Sequence, residues 1–252
     1  MGDSSKLLPR GGLACGPSRA DRSASRRRLV GRPVTLLEVD TAHGPAKVRL
    51  HPSDEPKAAL ILGHGAAGGV DSRDLVTVTN AALSQQVGVA LVEQPYRVAG
   101  RRAPAPAHQL DAAWISVVDH LRDGELRGLP LVAGGRSSGA RVACRTAEAT
   151  GAVGVLCLAF PLQPPRRSGA KVGPSRLAEL DAVSVPTLVV QGVRDRFGMP
   201  PVSPARTVVQ VAGDHRLTSD LEAMAAAVLA WLPGVVRRRA SGQLSAGSPA
   251  PP

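Results

Sequence analysis

A serine set between two glycines opens the chemical reading of this 252-residue chain. Gly135-Arg136-Ser137-Ser138-Gly139 is a G-x-S-x-G pentapeptide lying between a predicted strand and a predicted helix. In that setting the turn strains the serine, and small residues two positions either side let strand and helix approach closely. The Ser137 hydroxyl then stands above the sheet, at a helix N-terminus where developing negative charge is favoured. A hydroxyl is a poor nucleophile until a neighbouring base takes its proton. Six histidines could supply that base: His43, His51, His64, His108, His120 and His215. Of these, His64, His108 and His215 fall near the carboxyl side of the predicted strands. His215 follows the last strand and precedes the last helix, where the base belongs in the chain order Ser…Asp/Glu…His. Asp195 follows the turn after the preceding strand and is the expected carboxylate, fixing the histidine tautomer. Asp214 is its rival, disfavoured because neighbouring side chains usually diverge. Acyl transfer also needs donors for an oxyanion. The backbone N–H of Ser138 should be one, and the loop after Leu62 should give the other, from Ala66 ahead of Ala67. His64 reads as a residue that orders this loop. No metal ligand set and no cofactor are expected.

These groups need a frame that gathers distant segments. Apolar runs at 58–62, 87–92, 129–133, 153–160 and 186–190 alternate with helical patterns at 72–86, 108–122, 138–149 and 175–181. Then come a strand at 207–211 and an Ala-rich helix at 219–231. Continuous apolar strands alternating with helices predict a mostly parallel sheet covered on both faces. Two earlier strands, 34–40 and 46–51, joined by a turn around His43-Gly44-Pro45, predict an antiparallel N-terminal edge. Ligands of such sheets bind beyond the carboxyl ends of the strands. Four of those ends carry glycine with a polar or reactive side chain. That is the pattern of an active site.

Charge and cysteine narrow the setting. The chain has a net charge of +11. Residues 1–32 hold eight Lys/Arg against two acids, and 233–252 hold three Arg and no acid. The stretch 33–232 is nearly balanced, with 20 basic and 18 acidic residues. The domain is therefore placed at 33–232, with 1–32 and 233–252 as disordered tails. Aromatics make up 2% of the chain, which argues against nucleic-acid recognition by base stacking. Cys15, Cys144 and Cys157 have no metal-like spacing, and the latter two sit in apolar segments as expected reduced thiols. No apolar stretch approaches the roughly 18 residues of a membrane span. Arg26-Arg27-Arg28 leads into a segment too short and too charged for an export signal. A cytoplasmic location, with no membrane and no specific nucleic-acid partner, is the expectation.

Five motifs in order resemble a known family. They are His64-Gly65-Ala66-Ala67-Gly68-Gly69, Gln94-Pro95-Tyr96-Arg97-Val98-Ala99-Gly100-Arg101-Arg102, Gly134-Gly135-Arg136-Ser137-Ser138-Gly139, Gln191-Gly192-Val193-Arg194-Asp195 and Gly213-Asp214-His215. The chain resembles small bacterial α/β-hydrolases related to dienelactone hydrolase. Within them it is most similar to the subgroup that includes a eukaryotic testis-expressed hydrolase-like protein and a subunit of a histone-acetyltransferase complex. The resemblance spans about 33–232 and implies an α/β-hydrolase fold with Ser137 as nucleophile, Asp195 as acid and His215 as base. One departure is Arg196, where many relatives have proline, a change expected to loosen the loop.

About 25 residues separate Phe160 from Pro186, too few for a large helical lid. An open site for a small ester, thioester or lactone substrate follows. Loops around 96–107 and 161–174 should border it, with Arg97, Arg101, Arg102, Arg166, Arg167 and Lys171. These bases either select an anionic substrate through guanidinium contacts or are solvated loop charges. Tyr96, Arg101, Arg102 and Arg136 are the candidate substrate contacts, although Arg136 serves equally as a structural ion pair. The rival to a hydrolase is an idle scaffold of the same fold that binds protein partners. A nucleic-acid-associated protein using its basic tails is a third possibility. The oligomeric state is left open.

Overall fold

The computed structural model describes residues 1–2, 33–66, 68–164 and 173–245. The expected N-terminal tail, with Cys15, otherwise lies outside the described residues. So do Ala67, Arg166, Arg167 and Lys171.

Eight strands form one sheet. β1 (Thr35–Val39) and β2 (Ala46–His51) pair antiparallel, and β2 pairs antiparallel with β4 (Val87–Glu93). β3 (Ala58–Gly63), β5 (Leu131–Arg136), β6 (Gly154–Leu158), β7 (Thr187–Gly192) and β8 (Arg206–Val211) continue it in parallel, in the order β1-β2-β4-β3-β5-β6-β7-β8. The burial of each strand explains its place. β3, β6 and β7 are buried at every residue, as strands covered on both faces must be. β2, one strand in from the edge, alternates buried and wetter positions, which suits a strand with one more exposed face.

The helices divide between the faces. α1 (Arg73–Ser84) and α6 (Leu221–Ser245) pack Leu75, Val78, Met224 and Val228 against one side of the sheet. α3 (Ala107–Asp123), α4 (Ser138–Thr146) and α5 (Leu177–Asp181) pack Trp114, Val117, Ala143 and Leu180 against the other. α2 (Pro95–Val98) is a single turn after β4 that the apolar pattern does not foretell. Between β6 and β7, the described residues hold only the five-residue α5, consistent with the absence of a large helical lid.

The C-terminal boundary differs from expectation. The chain does not leave the fold at 233, because α6 runs on through Pro233 to Ser245. Met224, Val228, Leu232 and Val235 are all buried at helical spacing, and Val235 meets the sheet beside Gly154. Proline removes one helix N–H, but the apolar stripe on either side of it holds the helix to the sheet.

Two devices fix α4, the helix that follows Ser137. A Cβ on Gly135 would lie 2.5 Å from the Gly63 carbonyl oxygen, and one on Gly139 would also collide with that oxygen. Glycine at both positions therefore lets α4 press against the end of β3. On its outer side, Arg141 grips Glu179 through two bonds of 2.5 and 2.9 Å. Arg145 likewise grips Asp111 at 2.6 and 2.8 Å, so the helix is tied to both α5 and α3. Cys144 and Cys157 are both buried free thiols with sulfurs 3.5 Å apart, and their mutual hydrogen bond, together with burial, pushes the pKa of the Cys157 thiol upward. No described helix is long and apolar enough to cross a membrane.

Candidate active site

The carboxyl ends of β3, β5, β7 and β8 bring four separate loops together. Ser137 sits in the turn between β5 and α4 with φ +53° and ψ −105°. A positive φ is costly for a residue with a Cβ. The turn is held by the Ser137 N–H, which donates to the Leu158 carbonyl at 2.9 Å. This is the strained turn that the pentapeptide predicts.

The Ser137 hydroxyl lies 2.9 Å from His215 Nε2, across 78 residues of chain. His215 Nδ1 lies 2.7 Å from Asp195 Oδ2, whose side chain is 1% exposed. With Nδ1–H donating to that carboxylate, Nε2 is free to accept the serine proton. The rival Asp214 is exposed and accepts a bond from the Arg216 N–H, which lowers its pKa. His108 is exposed at the start of α3. Gly192 helps bring the last two loops together, since a Cβ there would lie 2.5 Å from the Asp214 carbonyl oxygen.

Asp195 is held more firmly than the sequence suggests. Its Oδ1 accepts the Phe197 N–H at 2.9 Å, and Gln191 Nε2 donates to Oδ2 at 2.8 Å. Gln191 is fully buried and also reaches the Phe160 and Gly198 carbonyls at 3.0 and 2.9 Å. Arg196, the residue expected to loosen this loop, makes a contact within it. Its guanidinium stacks 4.9 Å over the Phe197 ring, and Phe197 in turn packs edge-on against His215 at 4.5 Å. Phe197 is absent from the sequence reading, and Gln191 enters it only as the first residue of a motif, with no role. The one available signal was Gln191 itself, an amide at the end of the otherwise apolar strand β7.

The loop after β3 is ordered by buried side chains. His64 Nδ1–H donates to the Gly65 carbonyl at 2.8 Å, and the Gln94 N–H donates to His64 Nε2 at 3.1 Å. Tyr96 Oη donates to the Ala66 carbonyl at 3.3 Å. In a planar trans peptide the N–H points away from the C=O, so anchoring the Gly65 carbonyl also sets the direction of the Ala66 N–H. Ser138, half-buried, opens α4, and its N–H has no intrahelical acceptor.

The four candidate substrate contacts divide. Tyr96 is 2% exposed, and burial pushes its phenol up to about 12. It supports the loop and offers no surface to a ligand. Arg136 turns inward as well: Nη2 donates to the His215 carbonyl at 3.0 Å, and Nε lies 3.3 Å from Asp74 Oδ2. Both contacts match the ion-pair reading of this residue. Arg101 and Arg102 are exposed in the loop after α2, with no side-chain bond to any described residue.

Burial lowers the His64 pKa below its ordinary value of 6.5. The folded protein thus holds His64 neutral, while the unfolded chain takes up a proton as pH falls below about 6.5. The stability that neutral His64 supplies is present above that pH and is lost below it. Denaturant unfolding should show the gap between wild type and His64→Asn narrowing from pH 7 to pH 5. A gap independent of pH would contradict the buried neutral ring.

Residues 56–219 match the family model described as "Alpha/beta hydrolase domain". No curated protein sequence matches the chain significantly. Among solved structures, an α/β serine hydrolase without a lid from Xanthomonas campestris is similar with TM-score 0.62 and 19% identity, over 87% of this chain and 97% of its own. Est1E from Butyrivibrio proteoclasticus gives TM-score 0.65 and 15% identity over 80% and 99%. A dienelactone hydrolase from Anabaena variabilis gives 0.64 and 14% over 80% and 97%. At these identities the likeness speaks for the fold.

Proposed function

The chain belongs to the alpha/beta hydrolase domain family, and from that premise we propose a serine hydrolase that cleaves a small ester, thioester or lactone through an acyl-enzyme on Ser137. The observation that carries this reading is the unbroken path from the Ser137 hydroxyl through His215 to Asp195, at 2.9 and 2.7 Å. His215 Nε2 takes the hydroxyl proton as Oγ attacks the substrate carbonyl. Asp195 stabilises the imidazolium without itself becoming protonated. The N–H groups of Ser138 and Ala66 receive the oxyanion, where fixed donors stabilise charge that appears only in the transition state. His215 then protonates the leaving group. Water attacks the acyl-enzyme by the same route in reverse, returning the serine and releasing an acid.

A scaffold would have no physical need for a strained serine, a histidine bonded to it and a buried carboxylate at three strand ends. Within the family, the five motifs favour the dienelactone-hydrolase-related subgroup with the testis-expressed relative. Buried reduced thiols at Cys144 and Cys157 favour a cytoplasmic location. Arg101 and Arg102 are the exposed cations through which an anionic ester would be preferred.

A fluorophosphonate probe, followed by peptide mapping, should place a single phosphonyl adduct on Ser137. An adduct on another residue, or none on protein that is folded, would remove the nucleophile and leave the scaffold.

A further inference from the structure

Arg136 is a charged residue built into the turn beside the nucleophile, and each edge of its guanidinium meets protein. Nη2 donates to the His215 carbonyl at 3.0 Å, a bond spanning 79 residues. Nε lies 3.3 Å from Asp74 Oδ2 on α1. Nη1 fills the space beside Gly65, where a Cβ would approach it to 2.7 Å. One side chain thus touches the loop after β3, the first turn of α1 and the loop that carries His215. Its own backbone leads directly into Ser137.

Asp74 is 2% exposed. Its Oδ1 accepts the Leu75 N–H at 2.9 Å, while among described residues Oδ2 has Arg136 as its counter-charge. A buried carboxylate needs such a partner. Oδ2 accepts no aligned hydrogen bond among the described residues, so the pairing draws the guanidinium toward α1 by charge.

We infer that Arg136, braced by Asp74, is a positioning residue that fixes the His215 main chain relative to Ser137. The inference rests on the serine-hydrolase reading above. Asp195 fixes the imidazole from one side, but a ring can hold its hydrogen bond while the backbone beneath it shifts. The bond from Arg136 to the His215 carbonyl restrains that backbone, and its origin one residue before the nucleophile ties the restraint to the turn itself. Arginine suits the task because its planar fork reaches two partners in different directions at once. A lysine ammonium, as a point charge, would satisfy Asp74 or the carbonyl without locking both.

The test uses Arg136→Lys and Asp74→Asn in the full chain with a neutral aryl ester, counting competent sites by fluorophosphonate titration. Partial unfolding then scales the number of sites and leaves the turnover per site unchanged. For Arg136→Lys, turnover per titrated site should fall on the order of tenfold to a hundredfold, the loss that misplacing reacting groups by up to an ångström produces. KM should stay within about twofold, because the side chain makes no uniform contribution to substrate binding. Asp74→Asn should move kcat in the same direction by less. A higher KM with unchanged kcat would make Arg136 a substrate contact and overturn the inference. Unchanged turnover per site in both variants would reduce the pair to a fold element and also overturn it, as would failure of both to fold. If wild type itself neither labels nor turns over, the hydrolase reading fails first. If wild type is active, the variants judge Arg136 alone.

Discussion

Alanine at position 137 is expected to lower ester turnover by about a millionfold while the chain stays folded. The backbone of the turn is held by the Ser137 N–H bond to the Leu158 carbonyl and by the close contact of Gly135 and Gly139 with β3, none of which uses the hydroxyl. Alanine and serine carry the same Cβ, so the cost of φ +53° is shared. What disappears is the oxygen 2.9 Å from His215 Nε2. His215→Ala should cost about as much by itself, because the base has no task without the serine, and the double variant should lose little more. Losses that multiplied across the two substitutions would mean that serine and histidine act separately. Turnover per mole of folded protein, with unfolding followed by circular dichroism, distinguishes these outcomes.

Much of this site is legible along the chain because the fold repeats one simple unit. The buried parallel strands read as continuous apolar runs, and four strand ends carry glycine with a polar or reactive residue. That placed Ser137, Asp195 and His215 at strand ends before any geometry was known. Their order, and the divergence of adjacent side chains at 214 and 215, favoured Asp195. The structure brings those three side chains together and sends Asp214 into solvent.

The residues that escaped are those whose role depends on direction. Tyr96 is the one tyrosine of the chain, and its place in a loop expected to border the site makes it a candidate substrate contact. Its ring instead packs 5.8 Å from His64 in the interior, and its hydroxyl meets a backbone carbonyl. Arg136 had two readings because residue type fixes charge but not partner, and Asp74 is 62 positions away on another element. Gln191 looked like the first residue of a turn. It is a fully buried position of β7, next to the last residue of the strand, and supports Asp195 from behind. The end of α6 was misplaced for a different reason, since Pro233 and the following arginines mimic a helix stop, while Leu232 and Val235 still bury an apolar stripe.

Asn in place of Asp195 is expected to reduce kcat by about ten-thousandfold, although it preserves size and shape. The carboxylate accepts three hydrogen bonds: His215 Nδ1 at 2.7 Å and Gln191 Nε2 at 2.8 Å on Oδ2, and the Phe197 N–H at 2.9 Å on Oδ1. An amide has one oxygen and one NH2 group, and neither orientation serves all three. With its oxygen toward His215, the NH2 meets the Phe197 N–H, donor against donor. With the amide turned over, the NH2 faces both His215 and Gln191. His215 can then only accept at Nδ1, so its own proton moves to Nε2 and points at Ser137. A base that already carries a proton at Nε2 cannot take one from the hydroxyl. The same substitution at Asp214 changes an exposed side chain bonded to the Arg216 N–H and should leave the rate near wild type. Comparing kcat per titrated site in the two variants tests the assignment of the acid. A large loss at 214 with none at 195 would mean that the buried carboxylate is structural and that another group orients His215.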